Sequence, residues 1–192
     1  MELVSATTQP AQLQAPAIEA DNPQIPVRPL TSADASAFRS LRLESLEKDG
    51  RFFKKPDDDE TRFTLAQWQE RAKETPDQCW FGMFAHNDMV GIARIYKTAD
   101  DTAEGGSLYV IPDQRQHGVA DQFVHAALDW LKPKTEIKFL EFHAREDNMP
   151  SRHLCEVHLK GEKIETVDAT YGDGSSGPAF LYRIPVEHLR HG

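Results

Sequence analysis

Residues 105–132 change their hydrophobic period once, and that change constrains the fold more than any other stretch of the chain. The run Gly105-Gly106-Ser107-Leu108-Tyr109-Val110-Ile111 ends on Pro112, and Leu108 to Ile111 are apolar or aromatic residues of high strand propensity. Pro112 has no N–H to give a ladder, so it closes the strand. Beyond a turn holding Arg115, Gly118 and Ala120, the residues Val119, Phe123, Ala126, Ala127, Trp130 and Leu131 recur at helical spacing until Pro133 stops them. A strand that feeds a small-residue turn at a helix start presents unpaired backbone N–H groups, a natural seat for a phosphate. The alternative is a tight strand-to-helix connection with no ligand.

The rest of the chain supplies the remaining layers. Residues 1–26 contain no Lys or Arg and show no periodicity, and read as a disordered tail; residues 27–192 read as one domain. Val27 to Leu30 is a short edge strand, and Thr31-Ser32-Ala33-Asp34 opens a helix that Asp49-Gly50 ends. Thr64 and Gln67 form the two ends of a capping box for a second helix carrying Trp68 and Ala72. Between them, Arg51 to Phe63 is charged and irregular. Its acid run, Asp57 to Glu60, reads as a solvated loop or as a lid attracting a cation. Cys79 to Ala85 and Met89 to Tyr96 flank His86-Asn87-Asp88 as a hairpin, and Asp100 to Glu104 reads as a polar link into the central strand. Ile137 to Ala144 is a further strand, a short helix runs from Asn148 to Leu159, and two last strands, about 162–171 and 178–184, enclose a glycine-rich turn. This order mixes parallel and antiparallel neighbours, so the expected fold is α/β: a single mixed sheet flanked by helices.

Charge and cysteine content narrow the function classes. A net charge of −9 argues against sequence-independent nucleic-acid binding, which needs Lys and Arg against phosphates. It fits ordinary solubility charge, or attraction of amines and basic peptides. No apolar run is long enough to span a bilayer, and no secretory leader is apparent, so no membrane partner is expected. Two cysteines, Cys79 and Cys155, fall short of a disulfide framework and have no metal spacing, which points to a reducing cytoplasm. His153 and His158, five apart, do not share a helix face, and no metal site is expected.

Tyr109 to Ala120 resembles the acetyl-CoA-binding motif of the GNAT family of N-acetyltransferases. Val27 to Asp34 is similar to that family's opening strand and first helix, residues 81–84 and 89–94 to its second and third strands, and Glu146 to Ser151 to the start of its following motif. The resemblance covers nearly all of Val27 to Pro185 and implies a GNAT-like fold with acetyl-CoA as cosubstrate and a small-molecule or peptide amine as acceptor. It implies cofactor contacts at Tyr109, Val110, Arg115, Gln116, His117, Gly118, Val119 and Ala120, with Val110 N–H on the thioester carbonyl and Asn148 on the pantetheine arm. Glu104 is the candidate base. The family's usual tyrosine acid falls on Cys155, with Tyr171 and Tyr182 as substitutes. The acid loop, Phe52, Phe53 and the last hairpin are the expected acceptor walls, and an exposed edge at the late strands would allow a homodimer. Two alternatives stay open: a non-catalytic acyl-CoA sensor of the same fold, and an interaction protein docking a basic partner.

Overall fold

The computed structural model describes residues 26–189 except 57, 116 and 117, and most of the tail reading, 1–26, lies outside them. Its centre is a seven-stranded sheet in the order β1-β2-β3-β4-β5-β7-β6. The strands are β1 (Val27–Pro29), β2 (Gln78–Ala85), β3 (Asp88–Ala99), β4 (Thr102–Val110), β5 (Phe139–Arg145), β6 (Glu162–Thr170) and β7 (Ser176–Pro185). Every neighbouring pair is antiparallel except β4 and β5, which the long helix crosses between. The helices are α1 (Ala35–Asp49), α2 (Leu65–Arg71), α3 (Val119–Leu131), α4 (Met149–His153) and α5 (Val186–Leu189). No helix among the described residues is long and apolar enough to cross a membrane.

Two apolar clusters fill the two sides of the sheet. One gathers Phe123, Val124, Ala127, Trp130 and Leu131 of α3 onto Phe81, Ile95, Ala103, Leu140 and Phe142. The other sets Phe38 and Leu41 of α1 and Trp68 of α2 onto Trp80, Ile92 and Tyr109. Phe38 meets Trp68 edge-on, with centroids 5.1 Å apart, and lies 4.8 Å from Trp80, so three aromatics lock both helices to β2. The capping box on α2 forms as its sequence implies: Thr64 takes the Gln67 N–H while Gln67 returns the bond. The β2–β3 turn is tighter than expected. Only His86 and Asn87 lie outside the strands, both at positive φ (52° and 79°), the conformation of a two-residue turn that follows the strand twist.

β4 is longer than its sequence suggests. The expected polar link up to Glu104 is instead the first, most enclosed part of the strand from Thr102 onward, paired with β3 on one side and β5 on the other. A central strand can carry Thr and Glu when its flanking strands satisfy the main chain and its side chains find partners.

Candidate active site

β4 changes character at Ser107, and the site follows from that change. Up to Gly105 the strand is paired with β5, the last partners being Gly105 and Phe142. Ser107 then adopts φ 53°, and the register with β3 slips so that Arg94 opposes Gly106 while Ile92 opposes Tyr109. This bulge ends the pairing with β5 and reverses the strand's parity. Ala103 and Gly105 face α3, and so do Leu108 and Val110 above the bulge, whereas Tyr109 joins Glu104 on the face of α1 and α2. Gly105 is required at its position, since a Cβ there would lie 2.3 Å from the Phe142 ring.

Above the bulge, a gap opens between the carboxyl ends of two parallel strands, the usual place for a ligand in such sheets. Ile111 N–H bonds Val90 O on the β3 side at 2.9 Å, so alternation along the strand turns Val110 N–H into the gap. Val110 C=O faces the same way and accepts from Arg115 Nε at 2.8 Å. Arg115 is thereby held in place: its Nη2 pairs with Asp49 at 2.7 Å and its guanidinium stands 5.6 Å from the Tyr109 ring centre. One turn further on, Gly118 sits at φ 68° and starts α3, whose first amides, including those of Val119 and Ala120, have no carbonyl four residues back. Asn148 caps α4 at the end of β5 by accepting from Ser151 N–H at 3.2 Å. Val110 lies at the carboxyl end of β4, Arg115 and Gly118 to Ala120 just beyond it, and Asn148 just beyond the carboxyl end of the neighbouring β5. Gln116 and His117 lie outside the described residues. The Tyr109 side chain points to the opposite face, where its hydroxyl donates to Glu44 at 2.9 Å, so only its main chain borders the gap.

Glu104 lies on the α1 and α2 face, two residues before the bulge. His143 Nδ1 of β5 is 3.3 Å from its Oε1, near enough for an ion pair when the imidazole is charged but poorly aligned for a hydrogen bond. Tyr96 opposes Glu104 on β3. Burial pushes the Glu104 carboxyl up, but His143, Lys54 and Tyr96 outweigh it and hold the carboxyl below its ordinary value. A Cβ placed on neighbouring Gly106 would meet nothing within 4 Å, so Glu104 stands beside open space.

The walls of that space are joined to one another. Lys55 N–H bonds Thr170 O, Gly172 N–H bonds Gly50 O and Phe53 O, and Arg145 Nη1 reaches both Arg51 O and Ser175 Oγ. The loop after α1 and the turn between β6 and β7 thus form one rim.

The acid run is split: Asp58 and Asp59 are exposed, as in a solvated loop, whereas Glu60 turns inward. Glu60 is 3 % exposed and lies between two arginines, 2.8 Å from Arg42 Nε and 2.6 Å from Arg71 Nη2. Asp59 caps the following turn through Thr61 and pairs with Arg62. Arg42 and Arg71 take up Glu60, the Asp59–Arg62 pair stays at the surface, and Asp57 lies outside the described residues.

Cys155 is buried, and desolvation pushes its thiol up to about 12, several units above an ordinary thiol near ~8.5. It holds its proton too tightly to give it to a departing thiolate. The segment Leu154–His158 is a π turn, with Leu159 N–H reaching back five residues to Leu154 O. Of the substitutes, Tyr182 donates to Glu156, and burial and then this carboxylate push its phenol up to about 12. Tyr171 donates to Pro178 O at 3.2 Å. Among the described residues no group of three or more His, Cys, Asp or Glu could hold a metal.

Nothing local in the sequence marks His143, because it comes beside Glu104 only through the pairing of β4 with β5.

Comparison with known proteins bears on the fold and the family. Among curated proteins no sequence matches the chain. Solved structures do. RimJ of Mycobacterium smegmatis, in complex with CoA-disulfide, is 20% identical with a TM-score of 0.68, the match covering 86% of this chain and 84% of that one. The ribosomal-protein-S5-alanine acetyltransferase of Vibrio fischeri is 14% identical, TM-score 0.69, covering 84% and 92%. A GNAT-family acetyltransferase of Streptococcus pneumoniae is 15% identical, TM-score 0.69, covering 83% and 98%. The family model described as "Acetyltransferase (GNAT) family" matches residues 40–159, a span running from α1 through β4, the turn and α3 to the π turn. The chain is a member of the GNAT acetyltransferase family.

Proposed function

We propose that this enzyme transfers the acetyl group of acetyl-CoA to a primary amine by direct attack on the thioester. The observation that carries the reading is the position of β4. One side of this strand opens a gap lined by unpaired main-chain donors, and its other side presents an ionised, half-enclosed carboxylate. The residues present fit the cosubstrate: the start of α3 at Gly118 to Ala120 offers N–H groups to a pyrophosphate, and the gap above Gly105 leaves main chain free for an amide-bearing arm. Acetyl-CoA supplies the activated acetyl group. Val110 N–H faces the carbonyl oxygen as negative charge builds there. Arg115 steadies the end of β4 by holding the Val110 C=O, one peptide beyond that N–H, and Asn148 would line the far side of the gap.

Glu104 accepts the proton that the attacking amine must lose, directly or through one water. His143 and Lys54 favour its ionised form. Cys155 has no part in this scheme; the departing thiolate is protonated from solvent.

Isothermal calorimetry with acetyl-CoA, followed by thiol release with a panel of amines, tests the reading. Binding with amine-dependent release is expected, and no acetyl-CoA binding would overturn it. One observation favours a second reading, a non-catalytic acyl-CoA sensor: the residue at the family's acid position is an inert buried thiol. Binding without release for any amine would select the sensor. The interaction-protein alternative keeps Asp58 and Asp59 as exposed carboxylates but loses Glu60, which pairs with Arg42 and Arg71.

A further inference from the structure

The wall beside Glu104 carries more positive charge than the chain itself neutralises. Arg42, Arg71 and Arg94 stand around Trp80, each guanidinium carbon 5.5–5.7 Å from its ring centre. Glu60 pairs with the first two. No carboxylate among the described residues lies within ion-pair distance of Arg94, whose contacts are Gln78 Oε1 at 2.7 Å and the face of Tyr96 at 4.2 Å. Two guanidiniums thus share one carboxylate and Arg94 has none, in a partly dehydrated setting. Arg42 Nη1, Arg71 Nε, Arg94 Nε and Trp80 Nε1 are buried there without a hydrogen-bond partner. A native interior rarely leaves so many donors of one sign unsatisfied in one place without a use for them.

The position of Arg94 gives the use. It opposes Gly106, whose face is open, and Tyr96 next along β3 opposes Glu104. Arg94 and Glu104 are therefore diagonal neighbours on one face of an antiparallel pair, with roots about 7–8 Å apart. The exposed Lys54 adds a second cation near Glu104. A carboxylate base and an unpaired guanidinium rooted at diagonal positions of one sheet face match the two ends of a molecule carrying both an amine and an anion.

We propose that the acceptor carries a carboxylate close to its reactive amine and that Arg94 receives it, so that the guanidinium selects the acceptor while Glu104 takes the proton. This rests on the acetyltransferase reading. A free α-amino acid and a peptide N-terminus followed by an acidic residue offer the same chemistry, and matched substrates tell them apart. Arg suits this role better than Lys, since its planar fork can bind both carboxylate oxygens while its face stays on Tyr96.

The experiment measures kcat/KM on the unmodified enzyme for aspartate, glutamate and methionine against their α-amides, and for short peptides whose second residue is glutamate against glutamine. The carboxylate member of at least one series is expected to be preferred by about 10- to 100-fold, mainly through KM. Arg94→Gln should flatten that preference, and Arg94→Lys should restore part of it. Equal rates within every pair, or faster reaction of the neutral members, would overturn the proposal. Acetyl-CoA calorimetry run in parallel separates the failures. Binding with equal rates overturns only the role of Arg94, whereas absence of binding overturns the acetyltransferase reading and this proposal with it. The matched-pair comparison needs no variant, so a poorly folded Arg94→Gln does not remove the test.

Discussion

The two sides of β4 are built from different materials. On the α3 side, main-chain groups do the work: a bulge, a strand end that loses its partner at Gly105, and a helix start reached through a left-handed glycine. On the α1 and α2 side, charged side chains do it, drawn from β3, β4, β5 and the loop after α1. Main-chain sites need glycine and proline at fixed offsets, so they leave a contiguous signature. Side-chain sites need only the right residues to converge, and convergence is invisible along the chain.

This division can be broken by substitutions that should each touch one side. Glu104→Gln should have the largest effect, lowering kcat by about 10²–10⁴-fold while leaving the calorimetric affinity for acetyl-CoA unchanged. Because the carboxyl sits below its ordinary value, it remains ionised as pH falls. The acid loss of rate due to Glu104 should thus begin only below its usual range near ~4.3. A variant that turns over normally would remove Glu104 from the mechanism.

Glu60→Ala comes next. It strands the Arg42 guanidinium, whose side chain is 5 % exposed, without its carboxylate, and should cost about 3–5 kcal/mol in urea unfolding. A cost below 1 kcal/mol would mean that water already serves these arginines. Gly118→Ala should cost less, about 1–2 kcal/mol for a Cβ in the left-handed region. The cost should appear as weaker acetyl-CoA binding of up to about tenfold, with the acceptor preference untouched. If instead the acceptor preference shifts with the cofactor affinity, the two sides are coupled and the division is too sharp.

The smallest effect concerns the thiols. Burial pushes Cys79 and Cys155 up to about 12, so both should resist thiol reagents at neutral pH until the protein unfolds. The sign follows from neutral burial: the stability these thiols lend is complete below an unfolded thiol's pKa, near ~8.5, and is lost as pH climbs toward 12. Labelling of either cysteine in the folded protein at pH 7 would show that its side of the sheet opens.

Where periodicity and punctuation agreed, the sequence predicted structure closely: α3 runs from Val119 to Leu131, as its apolar spacing and Pro133 imply. The hairpin between β2 and β3 and the capping box on α2 were legible for the same reason, since turn and cap chemistry are local. β4 was misread as a link followed by a short strand because its bulge reverses the alternation that identifies strands. Ala103 and Val110, seven residues apart, face the same side, which an unbroken period of two forbids. Glu60 was misread because an acid run looks solvated unless its arginines, Arg42 and Arg71, are known to stand beside it. Arg94 and His143 carried no signal at all.

The π turn at Leu154–His158 also bears on how residues are matched between relatives. One extra residue in a turn advances the helical phase by about 100°, so positions before and after it no longer keep the same angular offset. Cys155 lies within this turn and faces the core, so counting seven residues on from Asn148 does not by itself fix which way a side chain points. Equivalence across this segment is a matter of azimuth rather than of counting.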